Sequence, residues 1–251
     1  MKVSVITATT GNPFLAECIE SVRAQTYKDV EHIVVVDGEE RWENTRRLLA
    51  SISFPRNGQG ETDEFVTVLP YATGKNRYNG HRVYGAATYF ADGDFHIWLD
   101  DDNALEPTHI EKLVKLVQEK NLDWAFSLRK IIDKDSNVLC EDNCESLGLW
   151  PSVLHEKDYF VDVNCYFVRK ELAVQMSPVW YRKFREPGQM EIDRAIAHVL
   201  MNNNLKFDCT RDYTVKYRVG NTGLSVQAEF FMQGNKKMLE KYNGKLPWKQ
   251  S

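Results

Sequence analysis

Three consecutive aspartates, Asp100-Asp101-Asp102, directly follow an apolar run from Phe95 to Leu99 and precede Asn103. The run has the length and bulk of a buried strand, so the carboxylates stand where a strand ends. Three adjacent acids repel one another and disfavour their own ionisation. A positive charge would offset that cost, and a divalent metal holding a diphosphate supplies one. An oxygen-rich cluster of this kind suits Mg²⁺ or Mn²⁺ rather than a soft metal. The plain alternative is an acidic loop on a solvated surface.

The rest of the chain surrounds this cluster with alternating elements. Val3 to Ile6 is a short strand. Asn12 offers a cap and Pro13 suits a first helical position, with Leu15, Cys18, Ile19 and Val22 at helical spacing. His32 to Val36 is a second strand, ended by Asp37-Gly38, and Glu39 to Ser51 is helical. Phe65 to Leu69 is a third strand. A basic polar loop from Gly74 to Gly80 leads to a helix with Val83, Ala86, Ala87 and Phe90 inward. After the fourth strand, Phe95 to Leu99, Pro107 opens a helix carrying Ile110, Leu113, Val114 and Val117, and Trp124 to Ile132 is a strand.

This order predicts an α/β fold with a mostly parallel, Rossmann-like central sheet and helices on both faces. In such sheets ligands bind beyond the carboxyl ends of the strands. Thr7 to Thr10, Asp37 and Asp100 to Asp102 all lie at such ends, although they are far apart in sequence. No Walker loop, Gly-x-Gly-x-x-Gly fingerprint or Gly-x-Ser-x-Gly elbow is present.

The second half is less regular. It reads as a hairpin at Asp133 to Leu139, a long loop from Asn137 to Tyr159, a strand from Phe160 to Val168 and an irregular stretch from Pro178 to Gly188. A helix from Glu191 to Asn202, a strand from Tyr213 to Val219 and a final helix from Val226 to Tyr242 follow. The long loop carries Trp150 and leads into Tyr159 and Phe160, which fits a lid over an acceptor site. A single 251-residue domain has a half that carries the strand-end acids, 1–103, and a less regular half, 104–251.

Composition narrows the function classes. Hydrophobic content of 43% and charged content of 27% belong to an ordinary globular chain. A net charge of -4 does not suggest a nucleic-acid partner. The start runs straight into a strand with no signal-peptide architecture, and no apolar stretch reaches the roughly 18–20 residues that span a bilayer. Five scattered cysteines are expected in a reducing cytoplasm. Peripheral contact with the inner face of a membrane stays open.

Several motifs together resemble glycosyltransferase family 2: Val3-Ser4-Val5-Ile6-Thr7, then Cys18-Ile19-Glu20-Ser21-Val22 with Gln25-Thr26-Tyr27, then Ile33 to Val36 ending at Asp37. Leu99-Asp100-Asp101-Asp102-Asn103 resembles that family's metal-binding Asp-x-Asp. The match covers the first half well and the second half loosely. The resemblance implies the GT-A fold and inverting transfer of a sugar from a nucleoside-diphosphate sugar, a UDP-sugar first of all. The acceptor would be a hydroxyl on a glycan, a lipid-linked molecule or a small molecule, and the cofactor a divalent cation, Mn²⁺ or Mg²⁺. A nucleotidyltransferase on a similar fold and a non-catalytic nucleotide-sugar-binding protein are the alternatives.

The resemblance also assigns candidate residues. Asp102 becomes the metal ligand, with Asp100 and Asp101 sharing metal, ribose and supporting duties in an order the triple acid leaves open. Asp37 would accept a hydrogen bond from a uracil-type base, with Thr7, Ala8 and Thr9 lining the same pocket. A turn-forming Asp before Gly is the other reading of Asp37. Lys75, Arg77 and Arg82 would face the diphosphate or fix the base, or else are surface charges. Asp193 resembles the catalytic base, favoured in its charged form at a helix start. Relatives often carry an adjacent Glu-Asp pair, whereas here Glu191 and Asp193 are two apart and point to different sides, so one of them would be the base, Asp193 first and Glu191 as the alternative. Some relatives place a metal-binding His late in the chain, and Tyr217 to Asn221 offers none. Trp150, Trp180 and Tyr181 either stack on the acceptor or pack in the interior.

Overall fold

A computed structural model describes residues 1–52, 63–74, 79–154, 159–182, 192–220 and 226–250. Lys75, Asn76, Arg77, Lys183, Arg185 and Glu191 lie outside the described residues.

The first half follows the alternation of its sequence. Strands β1 (Val3–Thr9), β2 (Val30–Val36), β3 (Asp63–Val68) and β4 (Phe95–Trp98) pair in parallel in the order β3-β2-β1-β4. Every residue of β1, β2 and β4 is buried, as expected where both faces of a parallel sheet are covered. On one face Val34 of β2 packs with Leu15 and Ile19 of α1 (Leu15–Arg23) and Leu49 of α2 (Trp42–Ala50). On the other, Ile33 and Val35 join the main core with Val83 and Tyr84 of α3 (His81–Ala87).

Helix α1 starts two residues after Pro13, because the Asn12 side chain accepts the Phe14 N–H at 3.0 Å and holds a turn there. Helix α3 is shorter than its sequence suggests. It ends at Ala87, so the helical phase is lost before Phe90, whose ring is 54% exposed. Asn121, in the left-handed conformation, closes α4 (His109–Lys120).

The second half continues the same sheet with a different pairing logic. The order runs on as β4-β8-β6-β9-β5, with β7 beside β6. Here β5 is Ala104–Leu105, β6 Trp124–Ile132, β7 Val138–Glu141, β8 Tyr166–Arg169 and β9 Phe207–Arg218. The β4/β8, β6/β8, β6/β7 and β5/β9 pairs are antiparallel, and only β6/β9 is parallel, with shifts in register. Parallel pairing therefore dominates the first half, and the sheet as a whole is mixed.

The strand expected from Phe160 is broken at its middle. Asp162 accepts the Asn164 N–H at 3.0 Å and starts a short 3-10 turn, Val163–Cys165, so β8 begins only at Tyr166. Helix α5 (Lys170–Met176) and a 3-10 turn, Ser177–Tyr181, follow where the sequence showed no clear period. Helices α6 (Ile192–Asn202) and α7 (Ala228–Lys241) match expectation within two residues. Among the described residues no helix is long and apolar enough to cross a membrane. All five cysteines are unpaired.

Candidate active site

The carboxyl ends of β1, β2 and β4 open into a cleft of about 480 Å³. It is lined by Ala8, Thr9 and Thr10 after β1, Asp37 after β2, Asn79 to His81 and Tyr84 at the start of α3, and Asp100 to Asp102 after β4. That volume suits a small-molecule ligand. Two surface grooves of similar size flank β9, but their charged walls are already paired, as in Lys112 with Asp212 at 3.0 Å and Lys120 with Asp208.

The chain comes close to itself at the cleft floor. A Cβ at Gly74 would lie 2.5 Å from the Asn79 carbonyl oxygen, and one at Gly80 would lie 2.8 Å from the Ala8 Cβ. Glycine is required at both places for the loop before α3 to approach β1 and β2.

Asp37 serves as an anchor for that loop. Its Oδ1 accepts the Thr73 N–H at 2.7 Å and the Thr73 hydroxyl at 2.8 Å, and its Oδ2 accepts the Gly74 N–H at 2.8 Å. A carboxylate offers about four acceptor positions, so one remains on Oδ2 for an incoming donor. Thr7 lies elsewhere. It is fully buried and bonds to His32 Nε2 at 3.0 Å, so the wall of the cleft is Ala8 to Thr10 rather than Thr7 to Thr9.

The three aspartates differ sharply in their surroundings. Asp100 is clasped: the Tyr84 hydroxyl donates to its Oδ1 at 2.5 Å and Asn164 Nδ2 to its Oδ2 at 2.8 Å. Asp101 meets the Thr9 side chain and the Thr10 backbone, yet burial and the charges of Asp102 and Asp100 push its carboxyl up to about 7. Asp102 is tied through its backbone, where its carbonyl accepts Arg218 Nε at 2.9 Å. The donor set is hard oxygen, and three adjacent carboxylates concentrate negative charge there, so it fits a divalent cation. Among the described residues no three His, Cys, Asp or Glu side chains form a ready-made cage. A cation here would draw further ligands from a bound anion and water, the habit of Mg²⁺ at phosphate sites.

Two buried arginines brace the motif, and sequence reasoning did not single out either. The Arg218 side chain is fully buried. It bonds to Glu17 Oε2 at 2.5 Å and to the Asp133 carbonyl at 2.8 Å and lies 4.1 Å above the Phe14 ring, while its N–H reaches Asn103 Oδ1 at 2.8 Å. Arg129 is likewise buried. It binds Asp142 at 2.8 Å and Glu145 and Asp162 at 2.6 Å each, with Tyr217 4.1 Å from the guanidinium. Burial holds the Asp162 carboxyl above its usual range despite Arg129. The Asp142 carboxyl, fully buried, falls below its usual range, because Arg129 is joined by N–H donors from Cys144, Glu145 and Ser146.

The remaining candidates separate. Asp193 stands in the first turn of α6 and accepts the Arg194 N–H at 2.7 Å. Burial first, then the charges of Asp162 and Asp193, hold the Tyr166 phenol well above its usual range. Arg82 lies on α3 but does not line the cleft, whereas its neighbour His81 does. Trp180 is wholly buried among His81, Tyr84 and Trp98, with ring centres 5.4–5.6 Å apart, so it is a core residue rather than an acceptor platform. Trp150 packs on Trp248 at 5.4 Å. Tyr181, 47% exposed, is the one member of this trio with a largely accessible ring.

A strand-end cleft with this acidic motif is accompanied by a direct sequence match: the family model described as Glycosyl transferase family 2 covers residues 4–139, more than half of the chain. The chain belongs to glycosyltransferase family 2. A glucosyl-dolichyl phosphate glucuronosyltransferase of Haloferax volcanii is 35% identical, over 83% of this chain and 72% of the relative. The glycosyltransferase MJ1057 of Methanocaldococcus jannaschii is 26% identical, over 87% and 71%. Among solved structures, Staphylococcus aureus TarS residues 1–349 superpose with a TM-score of 0.61 at 15% identity, covering 87% of this chain and 60% of that one. The same protein with UDP-GlcNAc gives 0.59 at 16% identity, covering 96% and 66%. At these identities the likeness establishes a shared GT-A architecture. The protein is thus a glycosyltransferase.

Proposed function

We propose that this enzyme transfers a sugar from a UDP-sugar to an acceptor hydroxyl, with inversion and with the help of a divalent cation. The observation that carries the reading is the cleft itself. Three aspartates at the end of β4 face the loop after β1 and Asp37, and Asp101 is held near 7 by burial and its acidic neighbours. TarS in complex with UDP and with UDP-GlcNAc supports the donor class.

In this reading Asp102 holds the cation, with Asp100 and Asp101 shaping the site. A bound cation stabilises the negative charge that grows on the departing diphosphate. Asp37 accepts an N–H from the uracil ring at its remaining acceptor position, and Thr9 and Thr10 line the wall beside it. Asp193 takes the proton of the acceptor hydroxyl. The acceptor oxygen then bonds to the anomeric carbon from the side opposite the diphosphate. The bond from that carbon to the diphosphate oxygen breaks, its electron pair leaves with the diphosphate, and the configuration inverts. The Haloferax relative's name pairs a glucuronosyl group with a dolichyl-phosphate carrier, so a lipid-linked acceptor is the first class to assay.

A thermal-shift panel tests the donor assignment. UDP with Mn²⁺ is expected to raise the Tm well beyond GDP or ADP with Mn²⁺ and beyond UDP alone. Equal shifts for the three nucleotides would reject Asp37 as a reader of the base. An equal shift for UDP without metal would reject the cation.

A further inference from the structure

Asn164 lies 64 positions after Asp100, and nothing in its neighbourhood marked it as functional. Its side chain nevertheless clasps Asp100 at both ends. Asn164 Oδ1 accepts the Asp100 N–H at 2.7 Å, and Nδ2 donates to Asp100 Oδ2 at 2.8 Å. The second Nδ2 hydrogen goes to Asp162 Oδ1 at 2.8 Å, and the same oxygen accepts the Asn164 N–H at 3.0 Å. Every polar atom of the amide is therefore used, and its orientation is fixed. Asp162 in turn is fixed by Arg129 at 2.6 Å. Asn164 and Arg129 are each 1% exposed, while the Asp100 and Asp162 carboxylates they hold are half-buried.

The direction of support runs from the second half of the chain into the first. Arg129 belongs to β6, and Asp162 and Asn164 to the turn that breaks the expected strand before β8. Asp100 lies at the end of β4, the strand that β8 joins. A continuous chain of four side chains thus links the buried arginine to the first acid of the triple motif. On the other oxygen of Asp100 the Tyr84 hydroxyl completes the clasp.

We propose that Asn164 is a positioning residue of the donor site, which sets the orientation of Asp100 and hence the geometry the acidic motif offers to a nucleoside diphosphate and its cation. This rests on the donor reading given above. A residue whose work is to aim a carboxylate acts through that carboxylate alone, and this separates it from a residue that simply holds the turn together.

Calorimetric titration of UDP, with and without Mn²⁺, tests the proposal in a double-mutant cycle of Asn164→Ala and Asp100→Ala. In the wild-type background Asn164→Ala is expected to weaken Mn²⁺-dependent UDP binding by about tenfold or more, the order expected for a hydrogen bond to a charged group. Binding of UDP alone is expected to stay unchanged. In the Asp100→Ala background the same substitution is expected to add less than about threefold, because its target is gone. Losses that simply multiply, or an equal loss with and without metal, would overturn the positioning role and leave the donor reading standing. Wild-type protein that fails to bind UDP with Mn²⁺ would overturn both. Asn164→Asp keeps the side-chain volume but removes both Nδ2 hydrogens, so it cannot bridge Asp100 and Asp162 as the amide does. If the alanine variant does not fold, the same coupling is expected of Asn164→Asp, and its absence would be equally decisive.

Discussion

The two halves of this chain organise charge in opposite ways. The first half gathers its acids at the open ends of parallel strands, beside a cleft, where Asp101 is pushed up to about 7. The second half buries its acids against arginine: Asp142, Glu145 and Asp162 surround Arg129, and Glu17 meets Arg218 from across the fold. Like charge gathered at a cleft suits it to a ligand, whereas charge paired in the interior suits it to holding a shape. The proposed donor chemistry thus lies in the first half, while side chains of the second half hold Asp100 of its motif.

The largest effects are expected where the two halves would meet in catalysis. Asp193→Asn should lower kcat by about 10²–10⁴, the usual range for loss of a general base. Donor binding should persist, and unchanged turnover in a radiolabelled-sugar assay would remove Asp193 from the mechanism. Asp102→Ala should cost at least about a hundredfold in Mn²⁺-dependent donor affinity, consistent with several kcal/mol of metal-derived stabilisation. Its circular dichroism should match wild type. Wild-type UDP affinity in this variant would break the contrast at its root.

Next comes the structural side. Arg129→Ala strands three buried or half-buried carboxylates and should destabilise the fold by about 3–5 kcal/mol in urea denaturation. A loss below about 1 kcal/mol would mean that this cluster is not what holds the second half together.

These residues also mark the boundary of what was legible in the sequence. The parallel strands and the acids at their ends could be read because period and strand-end position are local signals. Asp37, Thr9 and Asp100 to Asp102 accordingly line one cleft. The stretch expected to line the cleft is displaced by one residue, from Thr7–Thr9 to Ala8–Thr10, since Thr7 turns to His32 on the adjacent strand and no local pattern announces that contact. Arg129, Asn164 and Arg218 escaped notice because their roles come from partners between 13 and 201 positions away. Trp180 was open to two readings, and its complete burial among three rings decided for the core. The strand expected from Phe160 failed because Asp162 and Asn164 satisfy the backbone locally, an option that apolar content does not reveal.

A smaller effect concerns pH, where three buried histidines and one acid of the motif pull in different directions. Burial lowers His32 and His109 to about 3 and His96 to about 4, so each is neutral when folded and gains a proton on unfolding below about 6.5. Their contribution is therefore present above pH 6.5 and is lost as pH falls toward 3–4. Asp101 has the opposite sign: it holds a proton in the fold between about 4 and 7, so its contribution falls as pH rises through that window. Three groups oppose one, and net stability from these four should rise between pH 4 and 6.5. Asp101→Asn should steepen that rise and should raise the Tm of metal-free protein more at pH 8 than at pH 4. A Tm gain independent of pH would contradict the burial of an acid there.

The most direct test of the central claim, that a cation joins the acidic motif to the donor diphosphate, is anomalous diffraction from crystals grown with UDP and Mn²⁺. The expected result is a manganese peak bound by the Asp102 carboxylate and by oxygens of the diphosphate. A diphosphate seated in the cleft with the metal elsewhere, or with no metal at all, would contradict it.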